Sequence, residues 1–204
     1  MGDCITTYTG KHFDPTHPDE ELICIEDIAH ALSLLCRGNG HVRTFFSVGQ
    51  HCILCAKEAE ARGYSGRLIL ASLLHDASEC YMSDVPRPFK KSLPAYRKQE
   101  EALLNIIYQK YLGSGLSAIE EQKLKEIDND LLWYDLKYLL NETPDTPKPV
   151  VHVPIQYRQY PFSQVEEEYR NLFDQLSAKS VNRYNRHTYT IERRTLYGTI
   201  DFSC

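Results

Sequence analysis

Two adjacent polar groups, His75 and Asp76, interrupt the apolar run that precedes them in Leu73-Leu74-His75-Asp76-Ala77-Ser78-Glu79. Burying an imidazole and a carboxylate without partners costs several kcal/mol, so such a break implies a metal ion or a hydrogen-bond network that satisfies both. Two other segments offer groups of the same kind: His51, and Asp128 with Asp130 two residues beyond it. Two imidazoles and two carboxylates form a mixed nitrogen and oxygen set that suits Mn, Co, Ni, Fe, Mg or Zn, whereas thiolate-rich sites select softer ions. On a six-coordinate ion, four protein ligands leave positions for water and substrate.

These residues need rigid elements to hold them, and the pattern of apolar residues is helical almost throughout. Ile25, Ile28, Leu32 and Leu35 recur at helical spacing until Gly38 and Gly40 end the segment. Ser47 to Gln50 spells a capping box and places His51 in the first turn of a second helix. The third, from about Ser65 to Cys80, is nearly all apolar until His75 and reads as the central helix of the core. Pro86 and Pro88 predict a loop, followed by a long helix from Leu93 to Leu112 that Gly113 closes. Ser117 to Glu120 opens another helix, on which Asp128 lies beside the stripe of Leu124, Ile127, Leu131 and Tyr134. Asp130 is then expected to face solvent. Four prolines make residues 142–161 an extended connector, and Ser163 with Glu166 reads as the cap of a last helix docked by Val165, Tyr169, Leu172 and Leu176.

Composition narrows the function classes. A hydrophobic share of 42% with 25% charged residues is that of an ordinary globular domain, and 204 residues suffice for one full core. A formal charge of −5 disfavours a nucleic-acid scaffold or an anionic membrane as partner and leaves a small molecule as the default. No apolar run reaches the ~20 residues of a membrane span, and no basic-then-apolar leader stands at Met1, so a cytoplasmic protein is expected. The seven cysteines are scattered and odd in number, which fits reduced thiols. Cys52 and Cys55 spell a CxxC without a redox context and are read as helix packing beside His51. His30 is read as a hydrogen-bonded histidine of the first helix. Residues 179–204 alternate arginine with tyrosine, a pattern that suits either a nucleic-acid contact or a tail packed on the domain.

Taken as ordered blocks, Ser47-Val48-Gly49-Gln50-His51, Leu73 to Glu79, and Ser83-Asp84-Val85-Pro86-Arg87-Pro88-Phe89-Lys90 resemble the HD-domain metal-dependent phosphohydrolases, in particular the bacterial 5′-deoxynucleotidase branch. Ile25 to Ser33, followed by Gly40-His41, resembles phage and prophage members of that branch, some of which hydrolyse deoxynucleoside triphosphates. The resemblance covers about residues 5 to 178. It implies an all-α HD-domain bundle of about six helices over residues 1–178, with residues 179–204 as a short irregular or β-containing extension, and a homo-oligomer. It also implies His51, His75, Asp76 and Asp128 as ligands of a divalent metal. Asp130 stands as the competitor of Asp128.

A bound divalent ion supplies a nucleophile from water and stabilises charge on a phosphoryl oxygen. Glu79, one helical turn after His75, is expected to hold or deprotonate that water or to pass a proton to the leaving oxygen. Arg37 resembles the substrate-gripping basic residue of the branch, with Arg43 as its competitor, and an arginine there can hold phosphate bidentately. Asp84 and Lys90 flank the proline turn and are expected at the sugar hydroxyl and the phosphate; His41 is expected to contact phosphate or brace the site. The implied activity is release of phosphate from deoxynucleoside 5′-monophosphates. Its alternatives are triphosphate hydrolysis and a non-catalytic metal- or nucleic-acid-binding module.

Overall fold

The computed structural model describes residues 4–178, and the expected C-terminal extension lies outside them. Six long helices carry the fold: α1 (Ile25–Leu34), α2 (Val48–Ala61), α3 (Gly66–Leu74), α6 (Pro94–Leu112), α7 (Ala118–Tyr138) and α8 (residues 162–178). Between α3 and α6 stand two single turns, α4 (Glu79–Met82) and α5 (Arg87–Lys90). An antiparallel pair that the sequence pattern does not announce, β1 (Ile5–Thr6) and β2 (His12–Phe13), sets Ile5 opposite Phe13. The all-α bundle is the observed architecture. Among the described residues no helix is long and apolar enough to cross a membrane.

Three helix starts, those of α2, α3 and α7, follow from side chains that accept the first free amides. Ser47 and Gln50 complete a capping box at α2, Ser117 and Glu120 another at α7, and Ser65 caps α3. Gly113 ends α6 in the left-handed conformation, with φ of 77°. Central to the bundle is α3, whose Leu70, Leu73 and Leu74 are wholly buried. It packs on α2, α6 and α7, while α1 covers the other side of α2. Full burial of each such leucine contributes about 1.5–3 kcal/mol. On α8, Tyr169 is buried with the core and its hydroxyl donates to the Leu73 carbonyl at 2.7 Å. At Gly49 a Cβ would stand 3.2 Å from the Leu32 backbone and from Val165, so the bare glycine lets the first turn of α2 lie close against α1 and α8. His51 follows two residues later.

Three expectations about elements are corrected. The third helix does not run to Cys80: it stops at Leu74, and the backbone tightens through residues 75–78 before α4 begins. Amides of Ala77, Glu79 and Tyr81 bond the carbonyls three residues back, and the His75 imidazole takes the Ser72 carbonyl at 2.8 Å. Three-residue bonding narrows the turn and rotates the following side chains relative to an α-helix. Secondly, the proline loop contains α5, because a proline is compatible with a first helical turn, where its missing N–H has no partner to lose. Thirdly, α8 starts at residue 162, so Ser163 lies inside it, and Glu166 pairs with His30 Nδ1 at 3.0 Å instead of closing a capping box.

The connector 142–161 has neither helix nor strand, and α2 and α7 fasten it. Glu58, wholly buried, accepts the His152 and Val153 amides at 2.8 and 3.2 Å, His152 Nδ1 at 2.8 Å and Arg62 Nε at 2.8 Å. Arg62 also reaches Asp130 at 2.8 Å, which removes Asp130 from open solvent. Replacing Glu58 with alanine leaves two amides and a guanidinium nitrogen unpartnered and is expected to cost about 2–3 kcal/mol, read as a lower urea midpoint with an unchanged slope.

Candidate metal centre

Helices α2 and α7 and the tightened turn after α3 bring all four expected ligands to one place. His51 Nε2 lies 3.2 Å from Asp128 Oδ1, His75 Nε2 lies 3.2 Å from Asp76 Oδ2, and His75 Nε2 is 4.0 Å from Asp128 Oδ1. Donors bound about 2.1 Å from one cation stand roughly 3.0–3.4 Å apart when adjacent, so the two short separations suit a shared ion. Of the two candidate aspartates, Asp128 lies beside His51 and His75, whereas Asp130 pairs with Arg62.

The orientation of the imidazoles is more telling than their proximity. The Nδ1 of His75 engages the Ser72 carbonyl, and the Nδ1 of His51 faces the Asp135 carboxylate at 3.5 Å. Each ring therefore turns its Nε2 toward the acidic cluster. An imidazole fixed through one nitrogen by a carbonyl or carboxylate, with the other free to coordinate, is the arrangement of metal-binding histidines. Buried His75 Nε2 and Asp76 Oδ2 lack a hydrogen-bond partner, as does Glu79 Oε2 beside them. A cation fits the need of these atoms.

Charge around the cluster is dense. Burial disfavours the imidazolium of His75, yet Asp76 beside it holds its pKa well above the ordinary range. Against burial, His75, His51 and Arg37 depress the Asp76 carboxyl, and against burial His51 depresses that of Asp128. Glu79 goes the other way: burial, reinforced by Asp76 and Asp84, pushes its pKa well above the usual carboxylate range despite Lys90 and Arg37. Burial also raises Asp84. Glu79 and Asp76 are thus neighbouring carboxyls whose pKa values are pushed apart.

Arg37 is at the site, with Nη2 donating to Asp135 at 3.1 Å and Nη1 3.6 Å from Asp76. Its competitor Arg43 is exposed. Lys90 is no ordinary surface charge: Nζ donates to Glu100 at 2.7 Å and sits 3.6 Å from Glu79. Asp84 follows Ser83, whose φ of 73° is a conformation that a non-glycine residue adopts at a cost of order 1–3 kcal/mol, and the Tyr96 hydroxyl donates to the Ser83 carbonyl at 2.9 Å. His41 is the expected site residue that the structure leaves exposed, at the end of the turn Arg37–Gly40.

Three participants escape sequence reasoning. Arg87 of α5 binds the Asp128 carboxylate through Nη2 and the Asn129 side chain through Nη1. Tyr157, in the connector, donates to Asp135 Oδ1 at 2.9 Å and so braces the carboxylate behind His51. Cys55 places its sulfur 3.5 Å from His51 Nε2. The prolines on either side of Arg87 mark a rigid position, whereas nothing near Tyr157 in the sequence points to Asp135. A Tyr157→Phe protein is expected to fold normally and to bind a divalent ion about tenfold more weakly, measured by titration calorimetry, because loss of a partner behind a ligand costs roughly 10–100-fold in affinity.

No family model matches the chain. Its curated relatives carry no assigned activity. The uncharacterized protein YfdR of Escherichia coli strain K12 is 37% identical over 124 residues, covering 61% of this chain and 65% of the relative. An uncharacterized protein of Rhodobacter capsulatus is 32% identical over 123 residues, covering 57% of this chain and 61% of the relative. The chain thus spans under two thirds of the length of these relatives.

Proposed function

We propose that the chain is a metal-dependent phosphohydrolase of the HD type that releases phosphate from nucleotides, deoxynucleoside 5′-monophosphates being the preferred class. The observation that carries this reading is the pair of imidazoles, His75 held through Nδ1 by the Ser72 carbonyl and His51 with Nδ1 3.5 Å from Asp135, each with Nε2 turned into a cluster with Asp76 and Asp128. A divalent ion held there supplies Lewis acidity and an activated water. Glu79, whose pKa burial, Asp76 and Asp84 raise, donates to the leaving oxygen or orients the water. Arg37 and Lys90 are placed to turn from their carboxylate partners toward a phosphate. The strained Ser83 aims Asp84 into the same region, where a carboxylate can accept a sugar hydroxyl.

Local charge favours a monophosphate over a triphosphate. The site's cations are already paired, Arg37 with Asp76 and Asp135, Arg87 with Asp128, and Lys90 with Glu79 and Glu100. These pairings leave little to attract the added charge of a triphosphate. The test is a panel of nucleoside mono- and triphosphates with Mn or Co, assayed separately for phosphate and for triphosphate. Phosphate from the monophosphates is the expected result; triphosphate as the sole product overturns the preferred substrate, and inertness with every common divalent ion overturns the activity.

A further inference from the structure

The thiols of α2 lie against the proposed centre, and the nitrogen and oxygen ligand set makes no use of them. His51, Cys55 and His75 present donor atoms within 4.8 Å of one another, as do Cys52, His75 and Asp76. Cys55 follows His51 by four residues on one helix, which stacks the two side chains on the same face. Both are buried, and the Sγ to Nε2 separation is 3.5 Å. For a tetrahedral ion with a sulfur at about 2.3 Å and a nitrogen at about 2.05 Å, the edge joining them is about 3.6 Å. The observed separation is therefore that of two ligands of one ion. His75 Nε2, buried and without a hydrogen-bond partner, completes the face.

We infer that Cys55 is a metal ligand of this centre, giving it a sulfur donor beside His51 and His75 and a preference for zinc or cobalt over magnesium or manganese. This rests on the reading of the cluster as a metal centre. The bond forms between sulfur and ion as the thiol proton leaves to solvent, so binding through Cys55 releases a proton that a carboxylate ligand would not. A soft donor raises affinity for borderline ions and adds little for hard ones. The same geometry serves a plain thiol-to-imidazole hydrogen bond, which gives no sulfur-to-metal transition.

Full-length protein stripped with chelator and refilled with cobalt(II) is expected to show a near-ultraviolet sulfur-to-cobalt charge-transfer band, lost in Cys55→Ser and Cys55→Ala and kept in Cys52→Ser. Zinc affinity of Cys55→Ser, measured against a chromophoric chelator, is expected to fall by at least ~10–100-fold, while manganese affinity stays within about twofold. Cobalt bound to the parent without the band, cobalt not bound at all, or a band that survives both Cys55 variants and disappears in Cys52→Ser overturns the assignment. The spectrum is independent of turnover: phosphate release with manganese and no band leaves the hydrolase reading standing without the thiol, and a Cys55-dependent band with no hydrolysis does the reverse.

Discussion

An Asp76→Asn protein is expected to lose stoichiometric binding of a divalent ion and to turn over nucleoside monophosphates about a thousandfold more slowly than the parent, if at all. Asparagine keeps the volume and removes the charge. Its amide has one neutral acceptor oxygen, and an NH2 turned toward Arg37 Nη1, 3.6 Å from Asp76 in the parent, would set donor against donor. Arg37 keeps its bond to Asp135, so the fold is expected to survive and the loss to be chemical. Metal content by mass spectrometry and phosphate release check it together. The companion Asp130→Asn protein loses only a partner of Arg62 and is expected to keep both metal and turnover. Full activity in Asp76→Asn, or loss in Asp130→Asn equal to that in Asp128→Asn, would refute the ligand set.

What the sequence makes legible here is whatever is local. Ser47 with Gln50 and Ser117 with Glu120 are four-residue signals, and both form the capping boxes their spacing implies. Gly113 stops α6 for a reason contained in its own backbone. His51, His75 and Asp76 stand out because polar groups inside apolar stripes need partners. The failures begin where a group's partner in the fold is not the one its spacing implies. Continuing α3 through His75 fits the apolar period, but the Ser72 carbonyl is captured by an imidazole, and only the folded turn shows that. Ser163 and Glu166 have capping-box spacing, yet Glu166 finds His30, 136 residues away. Tyr157 and Arg87 join the centre through contacts that no periodicity encodes; the connector bearing Tyr157 is placed by Glu58, on the far side of the sequence. The Cys55 position shows a further limit, because burial beside His51 satisfies the packing reading and the ligand reading alike.

Glu79→Gln separates proton handling from metal binding, and its effects run in opposite directions on activity and on stability. Glu79 is buried among carboxylates, with Oε2 unpartnered and Oε1 3.6 Å from Lys90. As the group that holds the water or protonates the leaving oxygen, its loss is expected to lower kcat by about 10²–10⁴-fold with KM and metal content little changed. For stability the sign follows from the raised pKa, which burial and the neighbouring Asp76 and Asp84 cause. Below the unfolded value of about 4.3, glutamate is neutral in both states and folding is not penalised. As pH climbs past that value the unfolded chain gives up the proton while the buried group keeps it, so the unfolded state binds fewer protons and stability declines until the folded pKa is reached. Glutamine never ionises and escapes that decline. In chelator-treated protein, the melting temperature of Glu79→Gln is therefore expected to match the parent near pH 4 and to exceed it by a few degrees at pH 7.5. An added divalent ion is expected to shrink the gap, because its positive charge favours the glutamate anion that burial and Asp76 resist. A variant as active as the parent removes Glu79 from the chemistry, whereas a variant less stable than the parent at pH 7.5 without metal shows that Lys90 outweighs the carboxylates around it.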